Sequence, residues 1–79
     1  MSIRLDKQPS TDGLGVKRWT YPLADAVTLF VFERPASYAD LRYSLRVDHA
    51  DGRMLASALR ETKAGAIAKA QEFAGRNWE

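Results

Sequence analysis

Residues 27–34 read V-T-L-F-V-F-E-R, and no other stretch of the chain indicates a strand as strongly. A strand with one buried face alternates apolar and polar side chains. Here the aliphatic residues at positions 27, 29 and 31 occupy one face, while Phe30 and Phe32 occupy the other. Leaving the two phenylalanines in water forgoes about 1.5–3 kcal/mol of burial for each ring. The stretch therefore predicts a central strand that is covered on both faces.

The segments that flank this strand predict an antiparallel meander. Residues 16–21 are rich in aromatic and β-branched side chains and predict a strand that Pro22 ends, with a turn over residues 22–26. Residues 41–48 alternate, so that one face carries Leu41, Tyr43, Leu45 and Val47, and the other carries Arg42, Ser44, Arg46 and Asp48. Asp51-Gly52 predicts a two-residue hairpin turn with positive φ at both positions. The returning strand runs from about Arg53 to Arg60.

The C-terminal segment predicts one amphipathic helix over residues 63–77, with Thr62 as its N-cap. Its apolar side carries Ala66, Ile67, Ala70, Phe73, Ala74 and Trp78. Residues 1–13 either fray or form a short edge strand around Ile3 and Leu5. The predicted fold class is α+β: a three- to four-stranded antiparallel meander over residues 16–60, packed on one C-terminal helix. We expect a single domain over residues 1–79.

Composition narrows the class of protein. With no cysteine in 79 residues, neither a disulfide nor a thiolate metal site supplements the core, which fits a cytoplasmic protein. The N-terminus lacks the apolar stretch of a signal peptide, and no run approaches the roughly 18 apolar residues of a membrane span. We expect a soluble protein without membrane contact. A net charge of +2 neither requires nor excludes nucleic acid as a partner.

Candidate catalytic groups are few. His49 is the only histidine and lies beside the predicted turn, a position typical of a solvated side chain rather than a general base. A metal site would need His49 together with Asp48 and Asp51, which is a non-specific combination. The G-L-G at residues 13–15 lacks the context of a dinucleotide-binding loop. We therefore predict no enzymatic activity, no metal and no cofactor, and binding is the remaining class of function.

The second face of the sheet is the main functional clue. One helix covers one face, and the face that carries the residue 41/43/45/47 row is its natural partner. Four arrangements would cover the other face: the N-terminal segment with Ile3, Leu5 and Leu14, a second copy of the chain in a homodimer, a macromolecular partner, or nucleic acid stacked on the phenylalanines. The residues predicted to bind a partner are Phe30, Phe32, Arg42, Arg46, Trp19 and Tyr21.

Residues 41–73, L-R-Y-S-L-R-V-D-H-A-D-G-R-M-L-A-S-A-L-R-E-T-K-A-G-A-I-A-K-A-Q-E-F, resemble the arm-type DNA-binding domain of tyrosine recombinases. The T-K-x-E-A-type helix entry of that family is matched by T-K-A-G-A at residues 62–66, with Gly65 where an acidic residue is usual. In the family the sheet enters the major groove. The resemblance implies a DNA-binding surface formed by Arg42, Ser44, Arg46 and Arg53.

A second resemblance is one of type and covers the whole chain. A short, cysteine-free chain without catalytic groups, with an apolar and charged surface, looks like the phage-encoded inhibitors known as anti-CRISPR proteins. This resemblance implies an inhibitor that sterically blocks a host defence complex such as Cascade from engaging DNA, and it assigns no individual residue. An apolar row and a low net charge favour this protein–protein hypothesis. The alternative is a small DNA-binding domain that uses the basic sheet face.

Overall fold

The structure, a computed structural model, describes residues 5, 10–11, 13, 15–35 and 42–78. Within these residues, five antiparallel strands form one open sheet in the order β1-β2-β3-β4-β5, and one helix packs on it. The elements are β1 Ser10–Thr11, β2 Lys17–Ala24, β3 Val27–Glu33, β4 Tyr43–His49, β5 Met54–Arg60 and α1 Lys63–Ala74. Because β1 has only two residues, the sheet has four full strands, and the predicted α+β meander with one C-terminal helix is confirmed.

The register of the central strands puts the aliphatic row of β3 on the side of the helix. Leu29 is paired with Val47, and Val31 is paired with Leu45, so these side chains form continuous rows across β3 and β4. The helix adds small alanines and one ring, which lets it lie close to the sheet. The buried cluster consists of Leu5, Trp19, Val27, Leu29, Val31, Tyr43, Leu45, Val47, Ala66, Ala70 and Phe73.

Strand β2 continues through Pro22 to Ala24, so the prediction that Pro22 ends the strand is wrong. Pro22 pairs with Thr28 on β3, and the register shifts between Pro22 and Ala24. Just after β3, the amide of Arg34 donates to the carbonyl of Arg42 at 2.7 Å. The even-numbered positions of β3 therefore direct their backbone groups toward β4, and the odd-numbered ones toward β2. Pro22, opposite an even position, therefore directs its nitrogen away from β3, where a missing N–H costs no ladder bond.

The connection between β4 and β5 is a three-residue loop, not the predicted two-residue turn. The amide of Gly52 donates to the carbonyl of His49 at 3.0 Å, and the amide of His49 donates to the carbonyl of Arg53 at 2.8 Å. This pattern is that of a β-turn followed by a residue with positive φ, and Gly52 has a φ of +96°. The register then shifts by one residue near Val47 and Asp48, because β5 carries a β-bulge.

Helix α1 starts as predicted and ends three residues earlier. Thr62 has extended backbone, and its hydroxyl accepts a hydrogen bond of 3.1 Å from the amide of Gly65, which confirms it as the N-cap. At the other end Gly75 caps the helix. The indole of Trp78 folds back and donates a 2.7 Å hydrogen bond to the carbonyl of Phe73, so residues 75–78 leave the helical path.

The N-terminal predictions are answered only in part. The expected edge strand around Ile3 and Leu5 falls mostly outside the described residues, and the short β1 lies further along the chain and pairs with Arg18 and Lys17 of β2. Leu5 is buried among the residues of the helix-side core. Leu41, Ile3 and Leu14 lie outside the described residues. The described helix, with twelve residues, is too short to cross a membrane.

Candidate functional site

The sheet face opposite α1 is the candidate site, and we call it the open face. Side chains alternate between the two faces of a sheet, and the strand registers place the even-numbered residues of β3 and β4, and those of β2 as far as Thr20, on this face. The β-bulge near Asp48 sets which positions of β5 join them. The open face consists of Arg18, Thr20, Thr28, Phe30, Phe32, Ser44, Arg46, Asp48, Met54, Ser57 and Leu59.

Two aromatic rings lie at the centre of the open face. The ring centroids of Phe30 and Phe32 are 6.3 Å apart with an interplanar angle of 20°, so the rings are stacked along β3. Phe30 is directly opposite Arg46, and Phe32 is directly opposite Ser44 on β4. Both rings are partly buried, which gives the centre of the face an apolar surface with polar side chains beside it.

Arg46 is held by Asp48 on the same strand. Its Nε and Nη2 atoms lie 2.9 Å and 2.6 Å from the same carboxylate oxygen, Asp48 Oδ2. The other oxygen, Oδ1, is buried and has no hydrogen-bond partner in the described part of the chain. The charge of Arg46, which is opposite Phe30 in register, is thus largely compensated, while half of the carboxylate keeps an unused acceptor.

An open depression of about 510 Å³ lies between Phe32 and β5. Phe32, Ser44 and Arg46 line one side of it, and Ser57 and Leu59 line the other. Leu59 is 47% exposed, and Ser44, its partner on β4, is partly buried. The depression therefore combines an aromatic wall, an exposed aliphatic side chain, two hydroxyls and one guanidinium.

Arg42 belongs to a different cluster, at the end of the sheet. Its Nη2 atom lies 3.8 Å from Glu33 Oε1, and Lys17 Nζ lies 3.7 Å from the same oxygen. The hydroxyl of Tyr43 donates to the second oxygen of Glu33 at 2.5 Å. Burial, followed by this hydrogen bond and the charge of Glu33, raises the pKa of Tyr43 to about 12. Arg42 is thus engaged with Glu33, with its guanidinium 6.0 Å from the ring of Tyr43.

Arg53 lies at the opposite end of β4, at the hairpin loop. Its Nε donates to Asp51 Oδ2 at 2.7 Å, and its backbone amide donates to Asp51 Oδ1 at 3.0 Å. These bonds hold the pKa of the Asp51 carboxyl below its usual range, the backbone bond most strongly. His49 Nδ1 accepts a hydrogen bond from the Asp51 amide at 3.1 Å. Within the described residues, no group of three or more histidine, cysteine or acidic side chains is placed to hold a metal ion.

The structure brings together only some of the residues predicted to form the site. Phe30, Phe32 and Arg46 share the open face, and so does Ser44 from the nucleic-acid alternative. Trp19 and Tyr21 do not: Trp19 is paired with Val31 and is 6% exposed in the core, and Tyr21 packs against that core. The parity of β2 explains this placement, because both residues are opposite the aliphatic row of β3.

Sequence reasoning missed Leu59, Ser57 and Met54. The signal for Leu59 was present, since a hairpin turn at residues 51–52 already implies that Ser44 and Leu59 are paired. The position of Met54 could not be predicted from the turn, because the β-bulge determines its pairing with Asp48. Comparison of the chain with protein-family models, with curated proteins and with solved structures gives no match.

Proposed function

We propose that this is a non-enzymatic binding protein whose open face contacts a protein partner. The observation that supports this proposal is the stacked pair of Phe30 and Phe32 beside the exposed Leu59, on a sheet face away from the helix. Interfaces between proteins concentrate their binding energy in a few aromatic and arginine side chains surrounded by polar groups. Arg46, Ser44 and Ser57 provide such a surrounding.

Charge favours a protein partner over a nucleic acid. Duplex binding relies on arginines and lysines that neutralise phosphates, whereas Arg46 is already paired with Asp48 on the open face. Arg42 and Arg53, the other two basic residues of the DNA-binding hypothesis, lie at opposite ends of β4, and each has an acidic partner. The net charge of the whole chain is only +2.

The specific form of the proposal is a phage-encoded inhibitor of the anti-CRISPR type. In this form the open face docks on a subunit of a defence complex such as Cascade, and the bulk of the sheet and helix keeps DNA from entering. The proposal combines the type of chain, short and cysteine-free, with an interaction surface that has an apolar centre and a polar rim. It implies action in the cytoplasm of the host cell.

Phage plating on bacteria with an active type I CRISPR system tests this proposal. Expression of the wild-type chain is expected to restore plaque formation by a targeted phage. Phe32→Thr is expected to abolish the effect, because threonine keeps a strand-compatible side chain and removes the ring. Ala68→Glu, on the exposed side of α1, is the control and is expected to behave as wild type. The proposal is contradicted if the wild-type chain does not restore plaque formation, or if Phe32→Thr restores it as well as the wild type does.

The alternative function, DNA binding through the sheet, has its own measurement. Binding of random-sequence duplex DNA is measured at low and at moderate salt, with the wild type and with Arg46→Ala. If the sheet contacts phosphates, affinity falls steeply with salt, and loss of one phosphate contact lowers the salt slope by about one. We expect no salt-sensitive binding, because Asp48 compensates Arg46. A steep slope that Arg46→Ala reduces would replace the inhibitor proposal with the DNA-binding one.

A further inference from the structure

Strand β5 is an edge of the sheet, and among the described residues it pairs only with β4. The even-numbered positions of β4 bond toward β3, so the odd ones, Leu45 and Val47, bond toward their β5 partners Ala58 and Ala56. The backbone groups of the alternate residues, Ser57 and Leu59, therefore point outward. The carbonyl of Leu59 confirms this direction, because it accepts a 2.6 Å hydrogen bond from the side chain of Arg60.

Apart from the β-bulge at Leu55, which β4 leaves unpaired, this edge lacks the features that normally prevent strands from pairing. Edge strands in soluble proteins usually carry lysine, proline or an inward-pointing charge, or they are very short. β5 has seven residues, and positions 54–59 read M-L-A-S-A-L without a charge or a proline. Met54 and Leu59, the large apolar side chains with the highest exposure in the described part of the chain, both lie on it, at 60% and 47%.

The sequence of the edge strand is palindromic. Residues 55–59 read L-A-S-A-L, so an antiparallel pairing centred on Ser57 places identical residue types in equivalent positions of the two strands. Ser57 is then opposite Ser57 of the second strand and Ala56 is opposite Ala58, while Leu59 meets Leu55, the residue of the β-bulge that has no partner on β4. A two-fold symmetric interface requires this kind of self-complementarity.

We propose that β5 pairs with β5 of a second copy of the chain, antiparallel and about a two-fold axis at Ser57. The outward amide and carbonyl of each Ser57 then bond to each other across the axis, as in a hydrogen-bonded antiparallel pair. The Arg60 side chain, which holds the Leu59 carbonyl in the single chain, releases it to the second strand. The two sheets become one continuous sheet.

The charges at the ends of the interface are complementary. Beyond the bulge, the same register brings Arg53, which is bonded to Asp51 and 66% exposed at its side chain, to the end of the interface where Glu61 of the second copy lies. Glu61 is exposed and has no ion pair with any residue in the described part of the chain. The symmetry creates this Arg53–Glu61 combination twice, and the register opposes no two like charges within the strand.

The dimer would double the candidate site. Pairing at an edge leaves each sheet face on its own side, so the two open faces adjoin at the axis and both helices lie on the other side. The depression of each chain is bordered by Ser57 and Leu59, so the two depressions become neighbours. The inference does not rest on the proposed function, because dimerisation is measured with the purified chain alone.

The oligomeric state of the full chain tests the proposal, by sedimentation or light scattering over a series of concentrations. An interface of one strand from each copy is small, so we expect a concentration-dependent dimer with a dissociation constant at or below about 100 µM. Ser57→Lys places two like charges opposite each other and is expected to weaken the dimer about tenfold or more. Thr20→Lys, on the open face but on β2, is the matched control and is expected to dimerise as the wild type does.

Cross-linking tests the register separately. Since the chain has no cysteine, Ser57→Cys introduces one thiol that faces itself across the axis, and paired antiparallel positions lie within disulfide distance. Mild oxidation is expected to convert Ser57→Cys to covalent dimer much faster than Thr20→Cys. The proposal is overturned if the wild-type chain stays monomeric at every concentration. It is also overturned if Thr20→Lys weakens the dimer and Ser57→Lys does not, or if the two cysteine variants cross-link equally fast.

Discussion

The hydroxyl of Tyr43 donates a 2.5 Å hydrogen bond to Glu33, which is directly opposite it on the neighbouring strand. This bond closes the end of the sheet where the helix-side core meets a cluster of charges. Tyr43 is buried, and the carboxylate that it contacts also attracts Lys17 and Arg42. The neutral phenol satisfies one oxygen of Glu33, so that the cations share the other.

Replacing Tyr43 by phenylalanine tests this cluster. Tyr43→Phe keeps the ring and removes the donor, so we expect the free energy of unfolding at neutral pH to fall by about 1 kcal/mol. The measurement is urea denaturation of wild type and variant. Tyr43→Leu, which also loses the ring, is the comparison and is expected to cost more.

The same residue predicts a pH dependence. Tyr43 has a pKa of about 12 in the folded chain against 10.0 in the unfolded one, so the unfolded chain releases this proton first. The stability that Tyr43 contributes is complete below pH 10 and is lost as the pH rises toward 12. The stability difference between wild type and Tyr43→Phe is therefore expected to shrink over that interval. Parallel stability curves for the two proteins would show that the phenol ionises normally.

Two leucines on adjacent strands provide a matched pair for the two faces of the sheet. Leu45 is fully buried under the helix, and Leu59 is half exposed on the open face. We expect Leu45→Ala to cost about 2–5 kcal/mol, because it leaves a cavity, and Leu59→Ala to cost less than about 1 kcal/mol. Chemical denaturation is done at concentrations where the chain is monomeric. Equal costs would mean that the open face is covered within the chain.

The N-cap of α1 depends on one hydroxyl. Thr62→Ala removes the acceptor of the Gly65 amide and is expected to cost about 1 kcal/mol in thermal or chemical unfolding. Thr62→Ser keeps the oxygen and is expected to retain most of the stability. If Thr62→Ser is as unstable as Thr62→Ala, the contribution comes from the methyl group instead of the cap.

Gly52 and Gly75 allow the cost of backbone strain to be measured apart from the cost of steric crowding. Gly52 has a φ of +96°, and a Cβ added there would meet open space, whereas Gly75 has an ordinary helical φ of −84°. We expect Gly52→Ala to cost about 1–2 kcal/mol, because a Cβ disfavours positive φ, and Gly75→Ala to be nearly neutral. Thermal unfolding of the two variants gives the comparison. A neutral Gly52→Ala would indicate that the loop adopts a different turn.

The hairpin shows how a correct prediction can rest on a wrong local detail. A two-residue turn at Asp51-Gly52 implies that Ser44 and Leu59 are paired, and they are. The real loop has three residues, which shifts the pairing by one position, and the β-bulge in β5 shifts it back. Only packing required the bulge, since without it the alternation of β5 would be out of phase with the buried row of β4.

The two arginines of the predicted site show the limit of alternation. Arg42 and Arg46 have the same parity, but β4 begins at Tyr43, so only Arg46 is fixed on the open face by the strand. Arg42 precedes the strand, and its guanidinium reaches Glu33 at the end of the sheet. Where an element begins is decided by hydrogen bonds to its neighbours, which the sequence does not specify residue by residue.

Local patterns in the chain were enough to specify the α+β meander, the start of the helix at Thr62 and the presence of two apolar rows on β3, because each depends on periodicity or a cap. Which of the two rows faces the helix was settled only by packing between elements distant in the chain. The smaller residues at positions 27, 29 and 31 align in register with the apolar row of β4 and pack tightly under the alanines of α1. That leaves the bulkier Phe30 and Phe32 beside Arg46 on the open face.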